Sequence, residues 1–217
     1  MSFFMKSSSR SVHEERRWSA ELPTTQSDLC MSLTVWRKSL VMSCNGFTVI
    51  NSDGNVVYRV ETYMGQRPKE LVLMDGVGKS ILTLMRRNKN LRFLDTWFIY
   101  GGEIGAHCIS TKRSEEQPIF YVKKCINILH NNPNVLAYVY RGRSTDEKYV
   151  YMIEGSYSHR SCKVVNEAKK VVAEIKRKDA IIGGVSFGVE VFMLIVEAGF
   201  DPGLAMALVL LLDQMFS

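Results

Sequence analysis

Residues 201–216 read DPGLAMALVLLLDQMF, and the architecture follows from them. Asp201 before Pro202 is a helix start: a capping carboxylate, then a ring whose missing N–H is no loss at the first helical position. From Gly203 to Leu212 every residue is apolar. The expected helix, about 202–216, therefore has no polar face and must be surrounded by apolar matter, either protein or lipid. At 1.5 Å per residue it is roughly 22 Å long, short of the ~30 Å hydrocarbon core of a bilayer. Extending it upstream meets Glu197, Gly199, Asp201 and Pro202, which are costly at that depth. The bases Lys176, Arg177 and Lys178, with none after them, would suit a membrane anchor, but span length favours a helix buried in the protein's own core.

What surrounds the helix is legible upstream. Short segments rich in Val, Ile, Leu, Phe and Tyr alternate with Gly, Asn, Asp or Lys breaks: 33–40, 47–50, 56–61, 71–74, 81–86, 96–100, 119–125, 135–141, 149–154, 161–165, 171–176 and 190–196. This spacing predicts an all-β fold of about a dozen antiparallel strands. A closed barrel of that size is wide enough to wrap one helix. The fold class is thus a closed antiparallel barrel of about 12 strands around a buried hydrophobic C-terminal helix. Residues 1–30, rich in Ser, Arg and Glu and without a sustained period, are expected to be a mobile tail, and 31–217 the barrel domain.

Three stretches align without gaps: FTVINSDGNVVYRV (47–60), LVLMDGVGKSILTL (71–84) and CKVVNEAKKVVAEI (162–175). Each predicts a hairpin. Asn51, Asp75 and Asn166 stand just after the first strand, where a short polar side chain bonds the turn backbone. Gly54 and Gly78 supply positive φ, and Lys169 departs from that rule. Alternation assigns Val56, Tyr58 and Val60, Leu82 and Leu84, and Val171, Ala173 and Ile175 to the core face.

The chain has 217 residues with 46% hydrophobic and 23% charged, enough apolar matter for a sizeable core and too little for several membrane spans. Residues 1–178 hold all 28 bases and a net charge of +11, whereas 179–217 hold five acids and no base. Lys79 to Arg92 carries five bases and no acid, and Arg160 to Lys178 seven bases against two acids. Such a surface suits anionic partners: an anionic phospholipid or membrane surface, or an acidic face of an unknown protein partner. Alternation turns Lys176 and Lys178 outward beside Arg177, and Arg87 outward at the end of the second hairpin, with Arg86, Lys89 and Arg92 in or near the following loop. These seven are the candidate lipid or anion site.

Catalytic motifs fail on context. Gly184-Val185-Ser186-Phe187-Gly188 matches a nucleophile elbow, yet a strand-like run follows where a helix is required, and the last histidine, His159, lies upstream. Gly78-Lys79-Ser80 lacks the earlier glycine of a phosphate loop, since Leu73 takes its place. His13, His107, His130 and His159 are scattered and no CxxC pair occurs, so neither a structural metal nor a cofactor is expected. Nor do aromatic platforms interleaved with bases stand out, so direct nucleic-acid binding is not expected. Five cysteines, an odd number, and an N-terminus without a secretory apolar core predict a reducing, intracellular location, cytoplasmic with peripheral membrane or nuclear association.

VWRKSL (35–40), GFTVINSDGNVVYRV (46–60), LVLMDGVGKSILTL (71–84), YMIEGSYSHRSCKVV (151–165) and residues 172–216 closely resemble the plant LURP-one-related proteins. The likeness covers nearly all of 33–217 in order. It implies a Tubby C-terminal-like or phospholipid scramblase-like barrel of twelve strands around a hydrophobic helix. It also implies a role in plant defence from the family's founding member and phosphoinositide binding from the wider superfamily, while the failed motifs above lead to the expectation of a non-enzymatic protein. The alternatives are a scramblase-like membrane-anchored protein or a membrane-tethered regulator of transcription. No residue here matches Tubby's lipid-binding bases one for one, and neither calcium-site acids nor a palmitoylated cysteine cluster is found.

Overall fold

A computed structural model describes residues 30–42, 44–63, 69–86, 96–102, 117–125, 134–142, 148–178 and 188–217. Residues 1–29 of the expected tail, His107-Cys108 and Ser186 lie outside them. The twelve strands are β1 (Met31–Trp36), β2 (Cys44–Ile50), β3 (Val56–Tyr63), β4 (Glu70–Asp75), β5 (Ser80–Arg86), β6 (Thr96–Gly101), β7 (Phe120–Lys124), β8 (Val135–Arg141), β9 (Tyr151–Ser156), β10 (Ser161–Asn166), β11 (Val171–Arg177) and β12 (Val191–Val196), followed by α1 (Pro202–Phe216). Each strand pairs antiparallel with its neighbours in sequence, and β1 pairs with both β2 and β12, which closes the barrel. Closure removes the free edge strands of an open sheet, although β3 and β4 pair only at Tyr58 with Asp75 and Arg59 with Met74.

Alternation sets the wall. In β12, Phe192, Leu194 and Val196 are buried while Val191, Met193 and Ile195 stay partly exposed. Their register partners on β1, Val35, Leu33 and Met31, repeat the pattern until the sheet's end, where Met31 emerges into solvent. Into this apolar bore runs α1. Asp201, in extended geometry, accepts the Leu204 N–H through Oδ1, and Pro202 opens the first turn. Residues Gly203 to Asp213 are all buried, and Leu204 to Leu212 share one cluster with the inward residues of the strands. The sheet supplies the apolar surroundings that the helix demands, so the core reading holds over the anchor. Among the described residues, no helix is long and apolar enough to cross a membrane.

The three-hairpin repeat is real down to its irregularities. The Asn51 side chain accepts the backbone N–H of Asp53 and Asn55, Asp75 those of Val77 and Lys79, and Asn166 that of Lys170. Each turn places a residue at positive φ: Gly54 at 83°, Gly78 at 96° and Lys169 at 61°. At Gly78 a side chain would also collide with the guanidinium of Arg59. The register of all three hairpins then shifts at the same place, between Val49 and Ile50, Leu73 and Met74, and Val164 and Val165, leaving Val57, Ile81 and Val172 as extra residues. Such bulges increase local twist and bend the strand.

They also correct the expected faces. An extra residue resets the two-residue period. Val172 therefore joins Ala173 and Ile175 against the main core, whereas Val171 packs with Cys125, Val135, Met152 and Val165 in a second cluster. Val56 is likewise only partly buried, while Val57 and Tyr58 pack against the core.

Two substitutions test this account by urea unfolding. Leu208→Ala, in the middle of the enclosed helix, should lower stability by about 2–5 kcal/mol. Lys169→Gly should raise it by up to about 1 kcal/mol, by relieving left-handed geometry that disfavours a side chain.

Candidate functional site

The barrel has two unlike ends. At the first, where α1 begins, Lys79, Arg141, Lys148, Lys169 and Lys170 stand among Asp53, Asp75, Glu167, Glu197 and Asp201, so charge among the described residues nearly balances. A cleft of about 370 Å³ opens there beside Gln117, Pro118, Ile119, Phe120 and Arg141. At the second, where α1 ends, lie the close of β1, β5, β7 and β11 and the start of β12. Among the described residues here, Arg37, Lys38, Lys69, Arg86, Lys124, Arg160 and the run Lys176 to Lys178 outnumber Glu61, Glu70, Glu154, Glu174, Glu190 and Asp213.

The candidate bases that the structure describes all sit at this second rim. Arg86 is exposed where β5 stops, its N–H held by the Lys69 carbonyl at 2.8 Å. Lys176 pairs with Glu174 at 2.7 Å, Arg177 Nε donates to the His159 carbonyl at 3.3 Å, and Lys178 Nζ reaches Thr34 Oγ1 at 2.9 Å. However, β5 and β11 stand six places apart in the ring of twelve. The two basic groups share one end of the barrel but occupy opposite sides of it, and a flat anionic surface facing that end is what could meet both. Arg87, Lys89 and Arg92 lie outside the described residues.

Between them is a buried polar cluster that the sequence does not reveal. Asp213, in the last turn of α1, is almost fully buried and accepts Arg37 Nε at 2.9 Å, the Tyr157 hydroxyl at 3.2 Å and the Ser217 hydroxyl at 2.9 Å. Partial burial works against the charge on Arg37, but the carboxylates of Asp213 and Glu190 hold its pKa above the ordinary value. Burial, then Asp213, push the Tyr157 phenol well above its usual range. Arg160, also buried and at φ 51°, donates Nε to the Val189 carbonyl at 2.8 Å and stacks its guanidinium on Tyr157 and Phe192. Lys124 Nζ donates to the Met215 carbonyl at the helix end. The cluster clamps α1 to the rim. Its members sit far apart along the chain at 37, 124, 157, 160 and 213, a distribution without a motif. Their mutually bonded groups tie the helix end to β1, β7 and the segment between β9 and β10.

The outer wall holds a second surprise. Phe98 and Tyr121 are register partners, as are Tyr121 and Tyr140. Tyr121 and Tyr140 stack at 4.9 Å with rings within 6° of parallel, and Lys123 Nζ lies 4.9 Å from the Tyr140 ring centroid. Thus three strands assemble a half-buried aromatic band with a lysine, where no such platform stood out in the linear order. Among the described residues, no group of His, Cys, Asp and Glu is arranged to hold a metal ion. Cys30, Cys44, Cys125 and Cys162 are free thiols, and burial pushes the Cys162 thiol up to about 12.

The class of protein is now defined: a twelve-stranded closed antiparallel barrel filled by its own C-terminal helix. The chain belongs to the LURP-one-related family, whose model matches residues 31–213. It is 49% identical to Protein LURP-one-related 17 of Arabidopsis thaliana, over 99% of each chain. It is 42% identical to Protein LURP-one-related 8 of the same plant, over 94% of this chain and 97% of that one. An X-ray structure of an Arabidopsis thaliana protein shares the fold, with a TM-score of 0.59 at 21% identity, covering 86% of this chain and 91% of that one.

The clamp has an asymmetric signature. Arg37→Ala strands the carboxylate of Asp213 inside the protein and should lower stability by about 3 kcal/mol. Asp213→Asn keeps a hydrogen-bonding group there and leaves Arg37 with access to water, so it should cost clearly less. Urea midpoints of the two variants decide between them.

Proposed function

We propose that this is a non-enzymatic intracellular protein that docks reversibly on an anionic phospholipid surface, cytoplasmic and peripherally attached to membrane. The observation that carries the reading is the segregation of charge among the described residues: bases outnumber acids at the second rim, whereas the first rim is nearly balanced. The bore of the barrel is occupied by α1, so what the protein meets it meets with its outside. Near an anionic leaflet each base contributes about 1 kcal/mol, and the effect fades within a Debye length. The ion pair of Lys176 with Glu174 is half exposed and of the kind worth little by itself, so the lysine can exchange that partner for a headgroup. Family membership supports a role in plant defence, exercised through such a docking step.

Co-sedimentation with vesicles of phosphatidylcholine and increasing phosphatidylserine checks the proposal. Binding should rise with the anionic fraction, fall with salt, and weaken roughly 10- to 100-fold when Lys176, Arg177 and Lys178 are all changed to Gln. Equal binding by the wild type and the variant overturns the assignment of these three bases. Failure of the wild type to bind any vesicle overturns lipid docking and leaves an acidic protein face as the partner.

A further inference from the structure

The loop that leaves β1 presents Leu40, Val41 and Met42 to solvent at 56, 43 and 92% exposure. Single exposed apolar side chains are ordinary, but three large ones in succession are not. The loop is held in place. Arg37 N–H bonds the Glu190 carbonyl at 2.8 Å, which carries the β1–β12 ladder one step further, and the buried Thr48 hydroxyl donates to the Lys38 carbonyl at 2.8 Å. Ser39, itself buried, accepts the Val41 N–H on Oγ at 3.0 Å, and the Val41 carbonyl accepts the Cys44 N–H at 3.2 Å. Val189, 38% exposed, belongs to the neighbouring segment that leads into β12, whose Val191 is the partner of Trp36. The sequence thus folds an apolar tip outward while bonding its base to the barrel.

Its position gives the tip meaning. It projects from the basic rim, next to Lys38, with Lys178 bonded to Thr34 of the same β1 and Lys176 and Arg177 one strand beyond β12. Apolar side chains ringed by bases are the composition of an interfacial anchor, in which the apolar part enters the boundary between headgroups and acyl chains and the bases stay among the phosphates. We infer that Leu40, Val41 and Met42 insert into the leaflet of an anionic bilayer, an inference that rests on the lipid-docking reading above and adds to it the element that penetrates. The charged rim brings the protein to the surface. The loop then supplies a hold that salt does not screen.

The test uses the full chain and vesicles of phosphatidylcholine with phosphatidylserine, at low salt and at about 0.5 M salt, where the Debye length is only about 4 Å. The wild type should keep a measurable fraction of its binding at high salt. Leu40→Ser, Val41→Ser and Met42→Ser combined should lose that fraction and bind roughly 10-fold more weakly at low salt, with an unfolding temperature within a few degrees of the wild type because none of the three side chains is buried. A single Met42→Asp change should act in the same direction. If the triple variant binds as the wild type does under both conditions, insertion is overturned while docking by the basic rim survives. If the wild type binds no vesicle at all, docking itself is overturned and insertion with it.

Discussion

A helix without a polar face cannot face water, and in this protein that constraint is met by closing a sheet around it. Gly203 to Asp213 are buried in contact with residues from strands all around the ring, so helix and barrel each complete the other's core. Neither is stable alone on this account: the barrel without α1 is an apolar bore open to solvent, and α1 without the barrel is an apolar rod. The enclosed helix also uses up the space in which other barrels of this width keep ligands.

Enclosure is difficult at the helix ends, where backbone groups go unpaired. The first end is solved locally by the Asp201 cap. The second carries Asp213, a carboxylate near the negative end of the helix dipole, which is unfavourable unless compensated. Arg37, Tyr157 and Ser217 provide that compensation, and Lys124 takes the Met215 carbonyl. Positive groups therefore have a structural reason to collect where α1 ends, and the same rim carries the bases and the apolar loop for which membrane docking is proposed. One end of the molecule holds its architecture together and presents its distinctive surface.

Much of the fold was legible before the structure. Turn chemistry marks the three repeated hairpins, period-two alternation marks the wall, and Asp201-Pro202 marks the helix start, because each depends on residues within a few positions of one another. The face of Val171 was misread for the opposite reason. Its direction depends on the bulge that leaves Val172 unpaired between Val164 and Val165 on the partner strand, and alternation along one strand cannot register an extra residue relative to another. The candidate site was legible as composition, in the bases at 86 and 176–178, but their placement on opposite sides of one rim follows from the order of strands in the ring.

Local chemistry alone determined the number and kind of elements, the all-apolar character of α1 and the excess of bases in the body of the chain, since capping, periodicity and charge are properties of neighbouring residues. Tertiary structure alone decided that Arg37 meets Asp213, that Tyr121 stacks on Tyr140, and that Leu40 to Met42 stand exposed past the end of β1. Those outcomes depend on barrel closure, which brings β1 against β12 and carries the helix end back to the first strand across 176 residues of separation.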